Sequence, residues 1–162
     1  MTMLVGGKRL AAVLGIVSLS IMGCDAPRGG AAKMDAMPAK TLYERLGGEP
    51  ALTAVVDDFV GRAARDPAVN FTRSGKFQLT PDNVAHLKKM LVQFIGSATG
   101  GPQHYEGHDM STAHMGMRIT ESEFGAIAND LKATLAQFKV PEHEQSELMG
   151  IVGTTRDAIV AK

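Results

Sequence analysis

Every long segment between Thr41 and Lys162 repeats its apolar residues with helical period, and none shows the sustained alternation of a strand. That leaves packed helices, and the breaks between segments narrow the choice further. Gly47 and Gly48 punctuate the first segment, and Glu49 with Pro50 starts a helix, proline being tolerated near the first helical position. Leu52, Val55, Val56, Phe59, Val60 and Ala63 give that helix its stripe, and Asp66-Pro67 ends it. Thr80-Pro81-Asp82 opens a second helix with a capping hydroxyl and a proline behind it. Its stripe is Val84, Leu87, Leu91, Phe94, Ile95 and Ala98, and Gly100-Gly101-Pro102 stops it. Thr120 and Glu123 form a capping box before Phe124, Ile127, Ala128, Leu131, Leu135 and Phe138. After Val140-Pro141, Leu148, Ile151, Val152, Thr155 and Ile159 carry the last helix. The expected domain is all-α, with three or four long helices, one short one, and an irregular segment between two helix pairs.

That irregular segment is residues 104–117, "HYEGHDMSTAHMGM". It holds three of the chain's five histidines and three of its ten methionines. Donors of this kind suit a metal. His104, His108 and His114 with Met110, Met115 and Met117 would suit Cu(I) or a mixed copper or zinc site. The histidine spacings of four and six, however, match no standard short site. His114 stands apart from the other two. Its neighbours Ala113, Met115, Gly116 and Met117 are small or apolar. In such surroundings imidazole stays neutral, which is its ligand form. His104, His108 and His143 lie among polar residues and read as solvated, and Tyr105 reads as packing the segment onto the helices.

The totals exclude several classes. The chain has 162 residues, 44% hydrophobic and 21% charged, with no net charge. Nothing favours nucleic acid, and a single cysteine excludes an internal disulfide or a cysteine-ligand cluster. There is no nucleophile–base pair, no paired catalytic carboxylates and no flavin or dinucleotide motif. Redox turnover of any kind would therefore need an external reductase. Glu142, Glu144 and Glu147 read as the solvated first turns of the last helix, where negative charge suits the dipole.

The N-terminus reads as a leader. Lys8 and Arg9 precede an apolar run of 13 residues, 10–22. A spanning helix needs about 20 residues. The run ends in "SIMGC", which resembles the lipobox of bacterial lipoproteins, with Ile21 where Leu is commoner. The resemblance implies cleavage before Cys24 and acylation of its thiol, giving a lipid anchor of more than one chain. Asp25 after the cysteine implies retention at the periplasmic face of the inner membrane. Removing residues 1–23 takes Lys8 and Arg9 and leaves 15 basic against 17 acidic residues. Residues 24–40, rich in Gly, Ala and Pro, read as a flexible tether, and residues 41–162 as the folded domain.

From Thr41 onward the chain resembles the group I truncated haemoglobins. "LYERLGG" is similar to their short first helix and double-glycine turn, and "ALTAVVDDF" to their second helix. "ATGGPQHYEGHDMSTAHMGMRIT" carries their central pattern at Gly100, Gly101, Pro102, Tyr105, Gly107, Met110, His114, Gly116, Ile119 and Thr120. The resemblance implies a two-over-two helical sandwich around haem b, with His114 as the proximal iron ligand. It implies apolar walls from Val55, Phe59, Val60, Leu87, Leu91, Phe94, Met110 and Ile119. A phenylalanine from the loop after the second helix stacks on the haem in globins; Phe71 is the first candidate and Phe77 the alternative. The planar fork of Arg118 suits a haem propionate, and the same residue also reads as a solvated surface arginine.

Two departures from the family bear on function. Members commonly carry a tyrosine directly after the phenylalanine of the second helix, donating to bound dioxygen; here that residue is Val60. Leu87 and Leu91 replace polar donors on the facing helix, and the helical phase turns His86 away. Dioxygen then lacks a hydrogen bond worth about 1 kcal/mol or more. The second departure is Met90, where some members place a histidine that closes on the iron. Met90 is either a sixth ligand, which would raise the reduction potential, or a flexible pocket filler. The expected function is reversible binding of dioxygen, nitric oxide or CO, in transport, sensing, nitric-oxide handling or electron transfer with an electron-donor partner.

Overall fold

The computed structural model describes residues 39–160. The leader, Cys24 and most of the tether lie outside them. Among the described residues there are seven helices and no strand. They are α1 (Leu42–Arg45), α2 (Gly48–Ala63), α3 (Pro81–Ala98), α4 (Met110–Ala113), α5 (Glu121–Gln137), α6 (Glu142–Thr154) and α7 (Arg156–Ile159).

The helix starts follow from local chemistry. Thr80 caps α3 by accepting from the Asn83 amide, with Pro81 behind it. Thr120 and Glu123 close the expected capping box of α5. Thr41 and Glu44 close a second box at α1. Helix α2 begins one residue before Glu49, because Gly47 at φ 96° turns the chain directly into Gly48. Pro50 thus sits third in the helix, where its missing N–H still costs nothing.

α2 packs against α1, α3 and α5, and α6 packs against α5 and α1. This pairs α2 with α3 and α5 with α6, the two layers of a two-over-two sandwich. Leu52, Val55, Val56, Phe59, Val60 and Ala63 of α2 are buried together with Ile95, Leu131, Leu135 and Leu148. Each such side chain contributes about 1.5–3 kcal/mol when removed from water. A polar girdle crosses from α2 to α5. The hydroxyl of fully buried Thr134 donates to Asp58 at 3.1 Å and accepts from the Arg62 Nε at 3.2 Å. Gln137 completes it, accepting from Arg62 at 2.8 Å and donating to Asp58 at 3.2 Å.

Three expectations are corrected. The last helix is not continuous to Ile159 but breaks at Thr155. The Thr155 hydroxyl donates to the Val152 carbonyl at 2.7 Å and the Thr154 hydroxyl to the Ile151 carbonyl at 2.6 Å. Hydroxyls that take helix carbonyls compete with the backbone ladder. Phe138 lies at the C-cap of α5, 41% exposed, rather than on its buried face. Glu144 and Glu147 are not free in solvent: both pair with Arg45 and tie α6 to α1.

Candidate functional site

The site is built around His114, the C-cap of α4. Asp109 holds that one-turn helix at its other end. One carboxylate oxygen accepts from the Thr112 amide at 3.0 Å and the other from the Thr112 hydroxyl at 2.6 Å. These bonds, the hydroxyl's first, hold the Asp109 carboxyl below its ordinary range. The turn brings the Met110 carbonyl oxygen to 2.8 Å from Nδ1 of His114. A carbonyl only accepts, so Nδ1 donates to it, and the tautomer this contact selects is the one with the lone pair on Nε2. His114 is therefore an oriented nitrogen donor through Nε2.

The rest of residues 104–117 positions this turn. Tyr105 meets Phe94 of α3 edge-on, with ring centroids 5.6 Å apart, and its hydroxyl donates to the His108 carbonyl at 2.8 Å. Burial pushes the Tyr105 phenol up. Gly107 lies so close to the Tyr105 ring that a Cβ there would collide with it. Gly116, at φ 74°, supplies the left-handed residue after His114. Glu106 reaches back to α3, accepting from Lys89 at 3.2 Å and Gln93 at 3.0 Å.

The structure gathers Phe59, Val60, Phe71, Leu87, Leu91 and Phe94 into one apolar cluster. Phe59 and Val60 are buried, at 9% and 3% exposure. The α3 members differ from a plain core stripe. Only Ile95 of the expected stripe is buried, while Val84, Leu87, Leu91 and Phe94 stay half-buried and Ala98 is exposed. Phe71 and Phe77 are both half-buried, and Phe71 is the one that packs on the cluster. Met90 is half-buried on α3 and His86 is exposed, as its helical phase implies. Met110 and Ile119 are half-buried. Arg118 is exposed, in left-handed backbone at φ 49°, and shares a cleft of about 470 Å³ with His114.

His104 and His108 are exposed, and exposed His143 lies 2.7 Å from Glu147. Among the described residues, no three His, Cys, Asp or Glu side chains gather as a metal site. The copper or zinc cluster therefore gains no support, and Met115, 76% exposed, points to none either. A haem fits better. It needs one axial nitrogen and apolar walls, and His114 with half-buried Phe71, Leu87, Leu91 and Phe94 supplies that chemistry.

Several contributors were missed from sequence. The Met110 carbonyl acts through its backbone, which no side-chain motif reveals, although the four-residue spacing to His114 is its signature. Asp109 with Thr112 is a capping signal inside a segment read as irregular. Asp157, Ala158 and Ile159 of α7 line the cleft that holds His114 and Arg118, and the break at Thr155 sets them off from α6. A half-buried ion pair, Arg73–Glu123 at 2.6 Å, fastens the loop of Phe71 to the start of α5.

Comparison with known proteins agrees with this geometry. The sequence profile of the bacterial-like globins matches residues 41–161. The chain is 33% identical over 122 residues to a group 1 truncated hemoglobin of Tetrahymena thermophila, covering 75% of this chain and 96% of that one. It is 38% identical over 112 residues to the group 1 truncated hemoglobin GlbN of Mycolicibacterium paratuberculosis, covering 69% and 78%. The crystal structure of the Tetrahymena pyriformis truncated hemoglobin in its Fe(III) form superposes with a TM-score of 0.68 at 32% identity, covering 76% of this chain and 100% of that one. The helical sandwich is thus shared with proteins of known kind, and the chain belongs to the bacterial-like globins as a group 1 truncated haemoglobin, a haem protein.

Proposed function

We propose that His114 is the proximal ligand of haem b and that the opposite face takes a diatomic gas in a pocket without a hydrogen-bond donor. The observation that carries this is the 2.8 Å contact of His114 Nδ1 with the Met110 carbonyl, which leaves Nε2 as the nitrogen that can serve as a ligand. When bound, haem supplies a ferrous iron that dioxygen, nitric oxide or CO coordinates.

Val60 is buried where a tyrosine hydroxyl would stand, and Leu87 and Leu91 add only methyl groups. Dioxygen draws charge to its outer atom and depends on a donor worth about 1–3 kcal/mol. Nitric oxide and CO draw less charge and depend on it less. The pocket therefore favours these two relative to dioxygen, which supports nitric-oxide handling, sensing or electron transfer over dioxygen storage. An external electron donor keeps the iron ferrous. Met90, half-buried on α3, is read as a flexible filler and not as a sixth ligand, and Arg118 is the residue suited to a propionate. Cys24, acylated, would hold the globin at the periplasmic face of the inner membrane; the support for this is the leader, the "SIMGC" segment and Asp25.

Absorption and resonance Raman spectra of the ferric, ferrous and CO forms test the site. The wild type is expected to show a Soret band and, when ferrous, a five-coordinate high-spin iron with an iron–imidazole stretch. His114→Ala is expected to lose that stretch. No Soret band after haem supplementation would sink the reading. A low-spin ferrous wild type that becomes high-spin in Met90→Leu would make Met90 the sixth ligand. Cys24→Ala is expected to move the protein from the membrane fraction to the soluble one.

A further inference from the structure

The last described turn of the chain comes back to the segment that holds His114. Helix α7 packs against α4. The Ser111 hydroxyl of α4 donates to the Ala158 carbonyl at 3.4 Å. Ile119 and Val160 pair as an isolated parallel bridge. Arg156 lays its guanidinium fork on Glu121, the first residue of α5, with Nε at 2.9 Å and Nη2 at 2.5 Å from the two carboxylate oxygens. Asp157, Ala158, Ile159 and Val160 also line the cleft that His114 and Met115 line from the other side.

These contacts fall at both ends of one short stretch. Ser111 lies in α4, just before His114. Ile119 and Glu121 lie just after it, at the entry to α5. Between them the chain has only the one-turn α4 and the left-handed Gly116 and Arg118. One helical turn does not hold itself in water. Asp109 and the Met110 carbonyl fix the imidazole relative to the turn. They do not fix the turn relative to the helices. Tyr105 and Glu106 tie the chain ahead of the turn to α3, and α7 touches the stretch itself, before and after the histidine.

We propose that α7 is a latch that positions His114. The Arg156–Glu121 fork and the Ile119–Val160 bridge fix the height and tilt of the α4 turn, and so the reach of Nε2 toward the iron. The break at Thr155 serves this role, since it sets α7 off from α6. This rests on the reading of His114 as the proximal ligand.

The test uses the whole haem-loaded protein with Arg156→Met, Ile159→Ala and the exchanged pair Arg156→Glu with Glu121→Arg. The readouts are the ferrous iron–imidazole stretch and the coordination of the nitrosyl form, because nitric oxide weakens the bond opposite itself. Arg156→Met and Ile159→Ala are expected to lower the stretching frequency and raise the five-coordinate nitrosyl fraction. Haem loss to an acceptor should speed up about two- to fivefold for Arg156→Met, as an exposed bidentate pair allows. The exchanged pair should restore the wild-type values. Amide exchange of the haem-free protein should rise across residues 110–119 in both single variants. An unchanged stretch and nitrosyl in Arg156→Met, even with faster haem loss, would overturn the proposal and leave α7 a mere seal. Should Ile159→Ala not fold, Arg156→Met decides alone, since its side chain is half exposed. An iron–imidazole stretch missing from the wild type and also from Met90→Leu would instead defeat the assignment of His114 itself.

Discussion

The Met110 carbonyl oxygen stands 2.8 Å from Nδ1 of His114, one helical turn behind it, so backbone and ligand belong to the same closed ring of chain. The tautomer of the imidazole is thereby set by α4 and not by a neighbouring side chain. Whatever unwinds α4 also frees the ligand.

Asp109 is the residue whose loss unwinds it. Asp109→Ala removes both bonds to Thr112 and should weaken the turn as a lost cap. The larger effect is expected on the ligand it supports, with haem affinity falling about tenfold, as for other outer partners of metal ligands. Haem transfer to an acceptor protein measures it. Asp109→Asn retains an acceptor for the Thr112 amide and should recover most of the affinity.

Val60→Tyr returns a hydroxyl to the pocket. Dioxygen release from the ferrous protein should slow by about tenfold, the worth of a hydrogen bond near 1.4 kcal/mol, and autoxidation should slow with it. CO release should change little. Flash photolysis and stopped-flow mixing measure both. Val60 is 3% exposed, so the larger ring should cost about 1–3 kcal/mol in overpacking, read from chemical denaturation. Equal slowing of dioxygen and CO release would show a steric gate and not a donor.

Acid should loosen the start of α5 before it unfolds the helices. The Thr120 amide, then Arg73 and the Thr120 hydroxyl, hold the Glu123 carboxyl below its ordinary range. A depressed carboxyl stabilises the fold fully above its unfolded value, and the contribution fades as pH falls through the folded value. Haem loss measured downward from pH 7 should therefore accelerate below the ordinary carboxylate range. Glu123→Gln should flatten that rise, at the cost of a faster rate at neutral pH.

Asp130 has the opposite sign. Burial, then the charge of Asp66, raises its carboxyl, and one buried oxygen has no partner. A raised carboxyl is best tolerated when protonated, so it weighs against the fold as pH rises. Asp130→Asn removes the charge and should raise Tm by about 2 °C near neutral pH, a gain of roughly 0.5 kcal/mol. The gain should vanish on acidification. Calorimetry at two pH values checks it.

The helix starts and the histidine were open to reading in the sequence for a shared reason: each is written in adjacent residues. Thr80-Pro81 and Thr120 with Glu123 satisfy backbone donors within one turn, so their spacing alone carries the physics. His114 was legible because its neighbours are small or apolar. The break at Thr155 was not, because Ile151, Val152, Thr155 and Ile159 keep helical phase straight across it. Only the two hydroxyls that take carbonyls show the interruption. The half-buried state of Leu87, Leu91 and Phe94 was equally hidden, since an apolar stripe reads the same whether it meets a core or a ligand. Of the α3 stripe only Ile95 is fully buried, with Val84, Leu87, Leu91 and Phe94 packed beside it half-buried, and that is a tertiary fact.

The loop between α2 and α3 carries Asn70, Arg73 and Ser74 in left-handed backbone. For arginine and serine this conformation costs about 1 kcal/mol or more each, and local bonds such as Arg73 N–H to the Asn70 carbonyl and Ser74 N–H to the Asn70 side chain hold the turn. Its ionic tie to the main body is the pair from Arg73 to Glu123, a residue that also caps α5. One carboxylate thus fastens two things at once, a strained loop and a helix end. The earliest partial unfolding of this globin should then be a joint event. When Glu123 lets go, Phe71 swings out to water and the first turn of α5 frays with it, while the α2–α5 girdle around Thr134 still holds the helices together.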